Sequence, residues 1–124
     1  MTLVPAVALA LVAVIHALPV LGIVGDKGLT RLYGDALVTP AITLLLRHRA
    51  AVFATLTGLS IAAIFVTTWQ VPVLLFALGS VVSFVALWLA SRERFPAINR
   101  VAYVDLALTP IILAGLIAAW TSAN

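Results

Sequence analysis

Four long apolar runs constrain this chain more than any other feature: Leu3 to Gly25, Pro40 to Thr68, Val71 to Ser91 and Val101 to Trp120. Each is at or above the ~20 residues an α-helix needs to cross a hydrocarbon core. A segment in lipid has no water to satisfy its N–H and C=O groups, so it must close its own hydrogen bonds as a helix. Of the 124 residues 65% are apolar and 9% charged, whereas soluble domains carry ~25% charged residues. An ordinary soluble domain is thereby excluded. The expected fold is an all-α integral membrane protein, one domain over the 124 residues, built as an antiparallel four-transmembrane-helix bundle with spans at about 3–25, 40–68, 71–91 and 101–120.

Charge sets the expected orientation. Lys27, Arg31, Arg47, Arg49, Arg92, Arg94 and Arg100 all lie in or beside the first and third connections, and the second connection and both tails carry no cation. The positive-inside rule then makes those two connections cytoplasmic and both termini external. Trp69 and Trp120 fall at the outer interface and Trp88 toward the inner one, as amphipathic rings should. Ala8-Leu9-Ala10 resembles a signal-cleavage site, but no basic segment precedes it and the apolar run continues, so the first span is read as retained. The net charge of +3 reflects loop cations that orient a membrane protein; nucleic-acid binding needs a continuous basic surface. The absence of cysteine removes thiol exchange and thiolate metal sites.

Helix punctuation agrees with four spans. Thr39-Pro40 reads as N-cap and first helical residue, and Gln70-Val71-Pro72 begins the third span similarly. Ala54, Gly58 and Ala62, and Gly79 with Ser83, place small residues at four-residue spacing, which favours close helix approach in lipid. Pro40 to Thr68 as one helix would be about 43 Å long, so it must tilt, protrude or break near Arg47.

The polar residues within the spans form a layer. At 1.5 Å rise per residue, His16 lies about 20 Å from Leu3, Asp105 about 22 Å from Trp120 and Ser83 about 18 Å from Val71, while Arg49, about 29 Å from Thr68, sits just off that layer and can reach it with its side chain. An aspartate at that depth must pair, protonate or face water, and Arg49 is its expected partner, with His16 alongside. Arg47 and Arg49 are about 200° apart on a helix, so one turns inward and the other toward headgroups. Arg49 shares its face with Leu45, Phe53 and Leu56, and Arg47 with Thr43 and Ala51. Pro19 and Pro110 free the carbonyls of Ile15 and Leu106, next to His16 and Asp105. The connector from Asp26 to Thr39, carrying Arg31 and Tyr33, lies over the cytoplasmic mouth as a turn or short interfacial helix. Arg92-Glu93-Arg94 is expected as a solvated or headgroup-facing cluster.

The expected site is therefore a cytoplasm-facing polar pocket of His16, Arg49, Asp105, Ser83 and Tyr33, with no metal, no cofactor and no assignable catalytic residue. It suits the head of a lipid-like or isoprenoid-like amphiphile. Alternatives are an accessory subunit of a larger membrane complex, an acid/base enzyme of isomerase type, and a proton-coupled transporter using Asp105. Partners are membrane lipids or a hydrophobic small molecule, with homo-oligomerisation or a larger complex as the protein alternative. Haem would need His16 and His48 at one depth, and counting separates them. Retinal needs a lysine within a span, and the sole lysine, Lys27, is in a loop. Small multidrug exporters carry an acidic residue in the first span, which this one lacks.

His16-Ala17-Leu18-Pro19, Arg31-Leu32-Tyr33-Gly34, Leu45-Leu46-Arg47-His48-Arg49-Ala50 and Asp105 together resemble a group of small bacterial four-helix proteins broadly similar to DoxX-like membrane proteins. The resemblance implies a bacterial inner-membrane location and brings no catalytic residues. Proteins of this group are sometimes given the name phosphopantetheine adenylyltransferase, which belongs to a soluble nucleotide-binding enzyme. That chemistry is implausible here: neither His16 nor His48 begins a His-x-Gly-His motif, and no glycine-rich phosphate loop is present.

Overall fold

Proline sets where the first span changes its winding. In the computed structural model, which describes residues 3–23, 25–35, 39–92 and 94–123, α1 (Leu3–Ala17) gives way to a 3-10 segment over Leu18–Ile23. Pro19 has no N–H to give the carbonyl of Ile15, and the tighter winding begins beside it. Pro110, by contrast, lies inside α5 (Pro96–Ala123), which continues through it, as neighbouring helices allow in a membrane protein. Thr109 Oγ1 donates to the carbonyl of Asp105 at 2.8 Å in the same turn.

Between these lie α2 (Asp26–Tyr33), α3 (Pro40–Phe65) and α4 (Gln70–Ala90), with no strand among the described residues. Thr39 caps α3 as its sequence predicts: its hydroxyl accepts from the Ile42 N–H at 3.4 Å, and Pro40 occupies the first turn. The helix runs unbroken over 26 residues and through Arg47. It stops at Phe65, short of the expected Thr68, because a 3-10 turn over Thr67–Trp69 leads into α4. The fourth span starts at Pro96 rather than near Val101.

Four segments are long and apolar enough to cross a membrane: Leu3–Ile23, Pro40–Phe65, Thr67–Ala90 and Pro96–Ala123. Leu3, Leu44, Phe65 and Leu87 are each more than 70% exposed, a surface that water would not tolerate and lipid requires. This is the build of a multi-pass membrane protein.

Each span turns one stripe inward at three- and four-residue steps. Leu9, Val12 and His16 are buried on α1, Leu56, Ser60 and Ala63 on α3, Leu74, Ala77 and Val81 on α4, and Asp105, Leu108 and Ile112 on α5. The apolar members form one core. α1 packs on both α3 and α5, and α4 mainly on α5.

The tightest approach is not where the small-residue pattern puts it. A Cβ at Gly58 or Gly79 would meet nothing within 4 Å, whereas one at Gly115 would lie 2.5 Å from the Cβ of Ala8. Small residues permit close approach only when they face a neighbour. Gly58 and Gly79 are exposed, and α1 meets α5 at Gly115 instead.

The α4–α5 connection is held by Trp88, whose indole N–H donates to Asn99 Oδ1 at 2.9 Å and whose ring lies beneath Arg94 at 5.0 Å. Arg94 also donates to the carbonyl of Trp88 at 3.0 Å, which the Ser91 N–H shares at 3.2 Å. Arg94 thus folds back on α4, while Arg92 is exposed and Glu93 of the expected charge cluster lies outside the described residues.

Candidate functional site

At one end of the bundle the inward stripes change from apolar to polar. His16 continues the stripe of Leu9 and Val12 on α1, and Asp105 continues that of Leu108 and Ile112 on α5. Together with Arg49 and Phe53 of α3, these residues line a cleft of about 240 Å³. Ala97, Arg100, Val101 and Val104 complete the α5 wall, and α2 covers the cleft with Arg31, Leu32 and Tyr33.

α2 occupies the connector between the first two spans, where a turn or short helix is expected. Leu29 and Tyr33 are buried on one face and Leu32 is half-buried, while Asp26 and Arg31 are exposed. It sits close to the 3-10 segment: a Cβ at Gly28 would come 2.5 Å from the Leu21 carbonyl oxygen. Gly34 ends the helix at φ 82, a left-handed conformation that glycine adopts without strain. Its N–H donates to the Thr30 carbonyl at 2.8 Å. Residues 36–38 of the connector lie outside the described residues.

The two neighbouring arginines of α3 diverge as their helical angle requires. Arg47 points outward and donates to Asp26 Oδ1 at 2.8 Å, joining α3 to the start of α2 with both side chains largely exposed. Arg49 turns to the cleft, where its guanidinium carbon lies 4.9 Å from the Phe53 ring centre and 4.6 Å from that of Phe84 on α4.

The direct Arg49–Asp105 ion pair expected from depth counting is not formed. Among the described residues the only ion pair is Arg47–Asp26. Arg49 remains in electrostatic interaction with both Asp105 and His16, but the aromatic faces hold its guanidinium. A guanidinium is weakly hydrated and stacks on rings, an option depth arithmetic does not register.

His16 is 3% exposed and oriented from two sides. Its Nδ1 is 2.9 Å from the Val12 carbonyl oxygen. A carbonyl only accepts, so Nδ1 carries the proton and, in the neutral ring, Nε2 is left as an acceptor. The imidazole edge meets Phe53 at 4.8 Å between centroids and 82° between planes. Asp105 is 6% exposed, and its carboxylate accepts no hydrogen bond within the described residues.

Four of the five expected site residues, His16, Tyr33, Arg49 and Asp105, therefore line one cleft. Ser83 does not. It is exposed on α4, between the buried Val81 and Val85, and its hydroxyl donates to the Ser80 carbonyl at 3.0 Å. His48 is likewise exposed and outside the cleft. Arg31 and Arg100 are the cleft residues that depth counting missed. Arg100 is legible in hindsight: Ala97, Arg100, Val101, Val104 and Asp105 follow helical three- and four-residue steps on one face.

The cleft thus combines guanidinium groups of Arg31, Arg49 and Arg100 with one carboxylate, a phenol and an imidazole, on otherwise apolar walls. None of the three arginines donates a hydrogen bond to another described residue. No protein-family model, no curated protein and no solved structure matches this chain, so the chemistry of the cleft itself carries the functional argument.

Proposed function

We propose that this protein binds a lipid-like or isoprenoid-like amphiphile, holding its polar head in the cleft between α1, α2, α3 and α5. The observation that carries the reading is the convergence of Arg31, Arg49, Arg100, His16, Tyr33 and Asp105 on one apolar-walled space in a membrane-spanning bundle. Donors and acceptors left unspent by the protein in such a setting are available to a ligand.

Size supports a head rather than a whole molecule. The cleft of about 240 Å³ is below the ~300–1,000 Å³ of pockets that engulf drug-sized ligands. The chain of the amphiphile would then lie along exposed apolar helix surface, in contact with lipid.

The positive-inside rule supports a cleft that opens at the cytoplasmic face, with both termini outside and successive spans antiparallel. The resemblance to small DoxX-like proteins favours a bacterial inner membrane. The structural reading, an accessory subunit of a larger complex, is the competing outcome of the same test. Native mass spectrometry of gently purified wild type and Arg49→Ala decides between them. A molecule retained by wild type and lost from the variant supports the ligand site; no retained molecule, with both forms bound to one larger partner, overturns it.

A further inference from the structure

If the cleft holds an amphiphile, its chemistry also specifies the head, so the identity of the head rests on the binding reading. The cations and acceptors of the cleft are segregated by burial. Arg31 and Arg100 are exposed and Arg49 half-buried, whereas His16 and Asp105 are 3% and 6% exposed. The outer part of the cleft therefore offers N–H donors and positive charge. The inner part offers acceptors: the carboxyl oxygens of Asp105, and, in the neutral ring, Nε2 of His16, whose Nδ1 is committed to the Val12 carbonyl.

Buried acceptors in a membrane protein need donors. Arg49, the cation nearest in electrostatic terms, is held between Phe53 and Phe84 and forms no ion pair with Asp105. Asp105 is thus more than nine-tenths buried, lines the cleft and accepts no hydrogen bond from a described residue. A ligand that fills the site can bring a donor to it.

That donor is a hydroxyl rather than an ammonium. Three guanidinium groups line the same cleft against one carboxylate, so a further cation would enter against a net positive field, and a neutral O–H would not. The outer arginines in turn favour an anion of phosphate geometry, which guanidinium groups bind through paired N–H donors.

We propose that the ligand head is a phosphate monoester carrying a neighbouring hydroxyl, with the phosphate on Arg31, Arg49 and Arg100 and the hydroxyl donating to Asp105 and His16. Recognition is divided between two ends of the cleft, charge at the mouth and hydrogen-bond acceptance at the floor.

The test compares four probes on the wild-type protein in nanodiscs: an oleoyl lysophosphatidic acid, oleyl phosphate, monooleoylglycerol and free glycerol phosphate. The first has phosphate, hydroxyl and chain, and each of the others lacks one. Lysophosphatidic acid is expected to bind about tenfold more tightly than oleyl phosphate, the loss a charged acceptor suffers when its donor is removed. Asp105→Asn is expected to shrink that preference severalfold, read as the ratio of the two affinities in the same variant. Arg31→Gln combined with Arg100→Gln should weaken both phosphate probes equally and keep the preference.

Equal binding of the two phosphate probes by wild type overturns the hydroxyl assignment, and this comparison needs no variant to fold. Monooleoylglycerol binding as tightly as lysophosphatidic acid overturns the phosphate assignment. Either result leaves amphiphile binding standing. Glycerol phosphate binding as tightly as lysophosphatidic acid supports the head chemistry but overturns the requirement for a chain. Failure of all four probes overturns this inference, and the amphiphile reading falls with it only when native mass spectrometry also finds no retained molecule.

Discussion

Arg49 reaches across from α3 to stand 4.6 Å from the centre of the Phe84 ring on α4. The contact joins two helices that pack on each other less than either packs on its other neighbour. It also explains how a cation is held in the span without an ion pair: the Phe53 and Phe84 rings present electron-rich faces to it. Phe84→Leu keeps an apolar side chain and removes the ring face. It is expected to lower stability by about 1 kcal/mol, read as a reduced melting temperature in detergent. In an Arg49→Met background the same substitution should cost less, because the two side chains act as a pair. Equal costs in both backgrounds would show that the contact contributes nothing specific.

Gly115 provides a second test, of where the helices meet. A Cβ there falls 2.5 Å from the Cβ of Ala8, and neither atom can rotate away. Gly115→Ala is expected to destabilise by about 1–3 kcal/mol through overpacking, and Ala8→Gly should restore part of the loss in the double variant. Gly58→Ala and Gly79→Ala face open space and should leave thermal stability unchanged or slightly raised. Destabilisation at Gly58 or Gly79 comparable with that at Gly115 would place the close packing elsewhere.

The docking of α2 over the cleft has two candidate causes, and their magnitudes differ. The Arg47–Asp26 bridge is short at 2.8 Å, but its side chains are 44% and 69% exposed, and exposed pairs contribute about 0–1 kcal/mol. Leu29 is fully buried, and a buried leucine cut to alanine costs about 2–5 kcal/mol. Hydrogen exchange of the α2 amides should therefore rise strongly in Leu29→Ala and little in Asp26→Asn. Comparable exchange in both variants would assign the docking to the ion pair.

How far the sequence carries the fold depends on what each kind of pattern encodes. Span length and cap chemistry are local properties, and Thr39-Pro40 begins α3 as its residues require. Depth is additive along a helix, so counting alone puts His16 and Asp105 in one layer, with Arg49 within side-chain reach of it. Direction around the helix is not contained in depth. Ser83 lies at the same depth but two residues from both Val81 and Val85, which are buried. At ~100° per residue it faces the opposite way. The missed Arg100 and the misassigned glycine stripes have the same origin, since faces become known only when a neighbour is specified. Phe84 was invisible for a further reason: an aromatic in an apolar span looks like core until a cation is placed beside it.

Among the described residues the buried side-chain atoms Thr57 Oγ1, Ser60 Oγ and Gln70 Nε2 have no hydrogen-bond partner, and Ser60 is the one fully buried on an inward stripe. Ser60 is fully buried on the inward stripe of α3, between Leu56 and Ala63, and its hydroxyl has no hydrogen-bond partner. It lies on α3 away from the cleft and does not line it. A buried hydroxyl left unpaired costs about 1–3 kcal/mol, and the side chain is small enough that alanine leaves almost no cavity. Ser60→Ala should therefore raise the melting temperature in detergent, by an amount equivalent to about 1 kcal/mol, and leave binding of phosphate-bearing amphiphiles unchanged. A lowered melting temperature would mean that the hydroxyl is satisfied in the membrane by water or by a second protein chain.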